Sequence, residues 1–290
     1  MSRDTNLNLS AGLASVSVAL VLVALKLWAL GATGALSIAA SLADSALDLM
    51  ISLGGLAAIF YAARPPDQDH AFGHSSAEDL AALGQAVFIL ASSGLIAWAA
   101  VARLLSETPA PIAAEGRGAL VMGASILLTL ALVLWQRRVA RKTGSRVVRA
   151  DSLHYVGDLL PNLGALAALW ASAQFGLTQI DSAVAIGAAA MLAVGALGIG
   201  KGAWDALMDR AADPAVVAGI EEIVKHWPGL HGYHDLRTRS AGSTIFVNLH
   251  IELDGKLTLT EAHDIGAGLK RAILEAYPGT DVIIHKDPVR

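Results

Sequence analysis

The stretch Ser41-Leu42-Ala43-Asp44-Ser45-Ala46-Leu47-Asp48 lies inside an apolar run, Leu36–Ala63. Crossing about 30 Å of hydrocarbon takes roughly 20 apolar residues as a helix, so this run is long enough to span a bilayer. Carboxylates inside such a run are expensive and mark function by default. At i and i+4, Asp44 and Asp48 project from one helix face, a turn apart.

Working outward, five more runs of similar length appear: Leu9–Leu30, Ala77–Leu105, Gly118–Gln136, Val147–Phe175 and Ser182–Trp204. The expected fold is mainly α, with six transmembrane helices. The first run exceeds the roughly 7–15 apolar residues of a signal peptide, and further runs follow, so it is expected to remain as a span. Its single charge, Lys26, is expected to snorkel its amine to the interface. Between the fourth and fifth runs the chain carries Arg137, Arg138, Arg141, Lys142, Arg146 and Arg149. Lys and Arg in short loops mark the cytoplasmic side, and an even number of spans would place both termini there.

Composition agrees with a membrane protein. Of 290 residues 54% are hydrophobic and only 16% charged, against a usual share of about 25%. The net charge of −4 argues against a nucleic-acid-binding surface. With no cysteine, disulfides, thiolate metal sites and a cysteine nucleophile are excluded. The charges are uneven: 24 fall in residues 1–204 and 22 in the much shorter 205–290. A transmembrane domain over 1–204 and a soluble domain over 205–290 are therefore expected, the latter carrying the whole acidic excess.

In the soluble part, Asp213-Pro214 opens an amphipathic helix reaching about Trp227. His234–Arg239 and Ser243–Leu253 read as strands joined by a turn at Ala241-Gly242, and alternation puts Phe246, Asn248, His250 and Glu252 on one face. A helix from Thr260 to Tyr277 and a strand Asp281–His285 complete an αββαβ pattern, a small α+β domain.

The fifth run repeats the arrangement of the second. Asp151-Ser152-Leu153-His154-Tyr155-Val156-Gly157-Asp158 places His154 and Asp158 at i and i+4. If the two faces meet, three carboxylates and one imidazole share a low-dielectric interior. Such carboxylates must be protonated, hydrogen-bonded or neutralised by a cation. A divalent ion supplies the missing charge, and an O3N set suits Zn2+ or another borderline first-row ion. The same groups take protons, a free imidazole titrating at about pH 6.5. Competition between metal and protons for one site that opens alternately to each side is the chemistry of an antiporter. Asp151, beside Arg149, is expected to flank the entrance rather than to act as a fifth ligand.

These paired motifs, the spans and the αββαβ tail resemble the cation diffusion facilitator family, and within it the bacterial zinc and ferrous-iron efflux branch. Asp67-Gln68-Asp69-His70-Ala71-Phe72-Gly73-His74 with Glu78, His234-Asp235-Leu236-Arg237-Thr238-Arg239 and Ile283-Ile284-His285-Lys286-Asp287-Pro288 are similarly close. The resemblance implies a homodimer in the bacterial inner membrane, with a metallochaperone-like cytoplasmic domain, that exports divalent metal in exchange for protons. Asp44, Asp48, His154 and Asp158 would be the transport ligands for Zn2+, with Fe2+ or Cd2+ as other cargo. It also implies metal sites at Asp67, His70 and His74 and at His234, His250, His263, His285 and Asp287. Asp67, His70 and His74 stand at i, i+3 and i+7, which a helical turn would gather. Ser75-Ser76 departs from the Gly-Lys frequent in that branch, and Lys286 stands where Gln is usual. His226 and His231 match no ligand position.

Two readings compete with transport. A membrane-anchored metal sensor or scaffold would bind metal at the soluble histidines without flux, but an anchor has no need of buried carboxylates. An intramembrane metallohydrolase would need a general base beside metal-bound water, and no HExxH-like signature occurs.

Overall fold

The computed structural model describes residues 3–33, 36–105, 116–175 and 180–289. Contacts divide the chain into two compact units, Met1–Trp204 and Asp205–Arg290. Six long helices come first: α1 (Arg3–Thr33), α2 (Leu36–Ala62), α3 (Ser76–Leu105), α4 (Gly116–Thr143), α5 (Arg146–Phe175) and α6 (Ile180–Leu207).

The expectation of six transmembrane helices is corrected to five. Among the described residues, α1, α2, α3, α4 and α6 have stretches long and apolar enough to cross a membrane; α5 does not. Its first half holds Arg146, Arg149, Asp151, His154 and Asp158, too many ionisable groups for an apolar span. Instead α5 packs against α1, α2, α3 and α4, and Val147, Val148, Ala150, Asp151, Ser152, His154, Tyr155 and Val156 are buried there. A helix enclosed by protein can carry polar groups that a lipid-facing one cannot. With five spans, the parity argument that put both termini on one side no longer holds.

Small side chains set the helix spacing. At Gly12 a Cβ would sit 3.5 Å from Leu56 Cα and 2.9 Å from the mobile end of that side chain, so α1 and α2 lie close together there. The surrounding core is largely Ala and Val, including Ala11, Ala82, Ala86, Val139, Val147, Val148 and Ala203.

The second unit is an α+β fold in the order α7 (Pro214–Lys225), β1 (Gly232–Ala241), β2 (Thr244–Asp254), α8 (Leu259–Ala276) and β3 (Thr280–Val289). Asp213 caps α7, its Oδ1 accepting from Ala215 N at 2.8 Å with Pro214 in the first turn. Thr258 and Glu261 form a reciprocal capping box on α8. The central strand β2 pairs antiparallel with β1 and parallel with β3. A two-residue loop joins β1 to β2, with Gly242 at φ +54°, a conformation glycine adopts without strain. Val247, Leu249 and Ile251 of β2 point into a core with Ile220, Val224, Leu269, Ile273 and Val282. Each such side chain contributes roughly 1.5–3 kcal/mol by leaving water. The alternate residues Asn248, His250 and Glu252 necessarily face the other side of the sheet.

Candidate metal centres

Among the described residues, three groups of side chains bring potential ligand atoms within 4.8 Å of one another. In the helical unit, α2 and α5 supply Asp48, His154 and Asp158. His154 Nε2 is 3.0 Å from Asp48 Oδ1 and 3.9 Å from Asp158 Oδ2. His154 and Asp48 expose only 10% and 14% of their side chains, whereas Asp158 exposes 42%, so the cluster opens on the Asp158 side. The imidazole also lines a cavity of about 300 Å³ walled by Gly54 and Gly55 of α2 and by Gly84, Gln85 and Phe88 of α3. Phe88 meets the His154 ring edge-on at 5.8 Å. Asp44, a turn earlier on α2, is exposed and outside this trio.

The second group lies between α2 and α3. Asp67 turns one carboxylate oxygen to each of two imidazoles: Oδ1 to His70 Nδ1 and Oδ2 to His74 Nε2, both at 3.3 Å. No helical turn gathers them. Asp67 Oδ1 accepts from the backbone N–H groups of Asp69 (3.0 Å) and His70 (2.7 Å), an Asx turn, and Gly73 at φ +82° lets the chain swing back. The His70 N–H bond is the main reason the Asp67 carboxyl lies below the usual carboxylate range. His74 is buried with its ring edge-on to Tyr61, while Asp67 and His70 are exposed.

Strand register builds the third group. His234 pairs with His250, and His250 with His285, so three imidazoles form a row across β1, β2 and β3. Two residues beyond His285, on the same face, Asp287 reaches back to all of them. Its Oδ2 is 3.2 Å from His234 Nε2 and 3.0 Å from His250 Nδ1, and its Oδ1 is 3.2 Å from His285 Nε2. The His250 hydrogen bond, aided by the neighbouring imidazoles, holds the Asp287 carboxyl below its ordinary range. His234, His250 and Asp287 form the close trio, with His285 attached through Asp287. His263, exposed on α8, belongs to none of the three groups. Lys286 points to the opposite face, where its Cε would be 2.7 Å from a Cβ on Gly266 of α8. His226 bonds within its own helix end, to Glu222.

Further buried polar contacts run through the helical unit, most of them not anticipated from the sequence. Asp151 is buried rather than at an entrance, accepting from Gln136 Nε2 at 2.6 Å. Ser15, Ser52 and Tyr155 bond one another beside it, Ser52 Oγ and Tyr155 Oη at 2.9 Å. Glu78, buried, accepts from Ser145 Oγ at 3.1 Å and Asn8 Nδ2 at 3.4 Å. Next to it Asp79 meets Arg146 Nη1 at 2.6 Å. The available signal was a polar residue in an apolar helix: Ser15, Ser52, Gln136 and Tyr155 all fit it.

Membrane helices enclosing a carboxylate–imidazole cluster, followed by a small α+β domain with its own His/Asp group, define a multi-pass membrane protein that handles divalent cations. The family profile "Cation efflux transmembrane domain" matches residues 12–208, and "Cation efflux protein, cytoplasmic domain" matches residues 212–289. The "Cation-efflux pump FieF" of Cronobacter sakazakii is 42% identical over 278 residues, covering 96% of this chain and 92% of the relative. The pump of the same name from Pectobacterium carotovorum is 41% identical over 279 residues, with the same coverage. Among solved structures, the "Metal-bound C-terminal domain of CzcD transporter from Thermotoga maritima" is 28% identical over 26% of this chain and 87% of that one, with a TM-score of 0.25. The chain belongs to the cation diffusion facilitator family and is closely related to the bacterial FieF-type pumps. It is an inner-membrane transporter that exports divalent metal cations by antiport, and not an enzyme.

Proposed function

We propose that the exported ion is Zn2+, with Fe2+ or Cd2+ as further cargo, and that protons are the counter-ion. The observation that carries this reading is the convergence of Asp48, His154 and Asp158 from two helices onto one point of the helical unit. Two carboxylates and an imidazole suit a borderline first-row ion, and Asp44 completes an O3N set when its helix face closes on the others. Ligand atoms that bind metal only when deprotonated make each metal bound a proton released, which is the coupling an antiporter needs. The loop trio Asp67, His70 and His74 serves as a cytoplasmic metal site. The sheet cluster of His234, His250, His285 and Asp287, with His263, binds cytoplasmic Zn2+ and stabilises a homodimer.

Proteoliposomes holding a metal-sensitive dye test the proposal. Zn2+ uptake should rise with an opposing proton gradient, and Asp48→Ala or Asp158→Ala should abolish it. Normal uptake by both variants would refute the assignment of this site. Zn2+ binding without uptake by the unaltered protein would point instead to the sensor reading.

A further inference from the structure

Lys26 does not snorkel to an interface. It is the only charged residue in Thr5–Thr33 of α1, and its half-buried side chain turns inward to donate from Nζ to Ser45 Oγ at 2.6 Å. Ser45 is itself buried and lies on the turn between Asp44 and Asp48. The ammonium is thereby held at the helix turn of α2 that carries both Asp44 and Asp48. A lysine stem is long enough to carry its amine to water, so holding it here calls for attraction from the carboxylates of the adjoining α2 turn.

We propose that Lys26 is the resident counter-charge of this cluster and that it sets the cluster's metal affinity low enough for release. The charge count supports the assignment. Asp44, Asp48 and Asp158 carry three negative charges; one ammonium leaves two, which a divalent cation neutralises with His154 as a neutral ligand. The count is of the quartet's ligand carboxylates alone; Asp151, buried one turn before His154, is not a ligand and accepts from Gln136 through Oδ2. Without Lys26 the filled site keeps an excess negative charge, and the cation leaves a deeper well. Without it the emptied site also holds three carboxylates with no positive neighbour on α1. Lys26 is thus a positioning and tuning residue, not a ligand, and its role rests on the reading of the quartet as the transport site.

The test uses the full-length protein with His70→Ala and His250→Ala, which silence the other two clusters, and Zn2+ as the probe. Lys26→Met is expected to tighten Zn2+ binding at least about tenfold and to lower kcat for uptake, since one unit charge removed close to a divalent ion in a low dielectric is a large effect. Lys26→Arg, keeping the charge, should stay within about threefold of the starting affinity. Lys26→Gln keeps a donor for Ser45 but no charge, and should behave like Lys26→Met. Unchanged or weaker binding in Lys26→Met, while Asp158→Ala abolishes binding, overturns the role of Lys26 alone. Wild-type behaviour of Lys26→Gln overturns it too, by making the hydrogen bond rather than the charge responsible. Binding that survives Asp158→Ala overturns the reading of the quartet and this inference with it.

Discussion

The helical unit and the sheet use one set of side chains, imidazole and carboxylate, with the imidazole buried in the first and open to solvent in the second. His154 and Asp48 expose 10% and 14% of their side chains; His234 and Asp287 expose 45% and 34%. Removing an ionised carboxylate from water costs several kcal/mol unless a cation or hydrogen bonds compensate. The proposed transport site would therefore keep its buried members, Asp48 and His154, partnered by metal, protons or the Lys26 ammonium. On the sheet, three neighbouring imidazoles contact Asp287, whose partly exposed carboxylate needs no metal as a partner. On the proposed reading, the difference would separate a site that exchanges one cation for another from a site that can stand empty.

The sharpest way to break this comparison is to remove one carboxylate from each cluster. Asp48→Ala should abolish Zn2+ uptake in proteoliposomes, a loss of at least about a hundredfold, because both cargo and proton lose a ligand. Asp287→Ala should leave measurable uptake. Equal loss in both would show that the sheet cluster is as obligatory as the buried one. The next largest effect concerns how the sheet cluster is made. Leu249, fully buried between His250 and Asn248 in sequence, holds the β2 register that aligns the three imidazoles. Leu249→Ala should destabilise the second unit by about 2–5 kcal/mol, read as earlier proteolysis or thermal unfolding of that unit in the full-length protein.

The two clusters were also unequally legible in the sequence. Asp44/Asp48 and His154/Asp158 can be found by counting, because a helix returns to the same face every i+4. His234, His250 and His285 cannot, because strand register across a sheet is not written in their spacing; only family resemblance brought them together. That resemblance also included His263, which the fold leaves exposed on α8. The αββαβ order was legible because Asp213-Pro214, Gly242 and the alternation through β2 are local signals. Counting α5 as a span failed because run length says nothing about what encloses a helix, and α5 is packed among four others. The directions of Lys26 and Asp151 failed for a related reason. Each depends on a partner from another helix, Ser45 or Gln136, that no local pattern announces.

A smaller effect sharpens the comparison from the exposed side. Asp287→Asn should weaken metal binding at the sheet cluster by about tenfold, since an amide keeps the shape but not the charge. The same variant tests the electrostatics without metal. Because the folded-state Asp287 carboxyl titrates below its unfolded value, its contribution to stability is present above the unfolded value of about 3.9 and is lost as pH falls through the folded one. Thermal unfolding of the metal-free protein should therefore favour wild type over Asp287→Asn at pH 6, with the gap closing as pH falls below the unfolded value of about 3.9. A gap that persists at the lowest pH would mean that the carboxylate acts through shape rather than charge.

The smallest effect is local and concerns neither cluster's ligands. Thr258 Oγ1 accepts from Glu261 N at 3.3 Å, while the Glu261 carboxylate accepts from both the N–H and the hydroxyl of Thr258 at 2.7 Å. Those bonds hold the Glu261 carboxyl below its ordinary range. Thr258→Ala should cost about 1 kcal/mol, measured by denaturation of the second unit. It should not alter Zn2+ uptake or the affinity of the sheet cluster. The cap fixes the start of α8, whereas the imidazole row is fixed by pairing of β1, β2 and β3, so loss of metal affinity in this variant would show that α8 takes part in the cluster. His263, on the second turn of α8, is the residue through which it would do so.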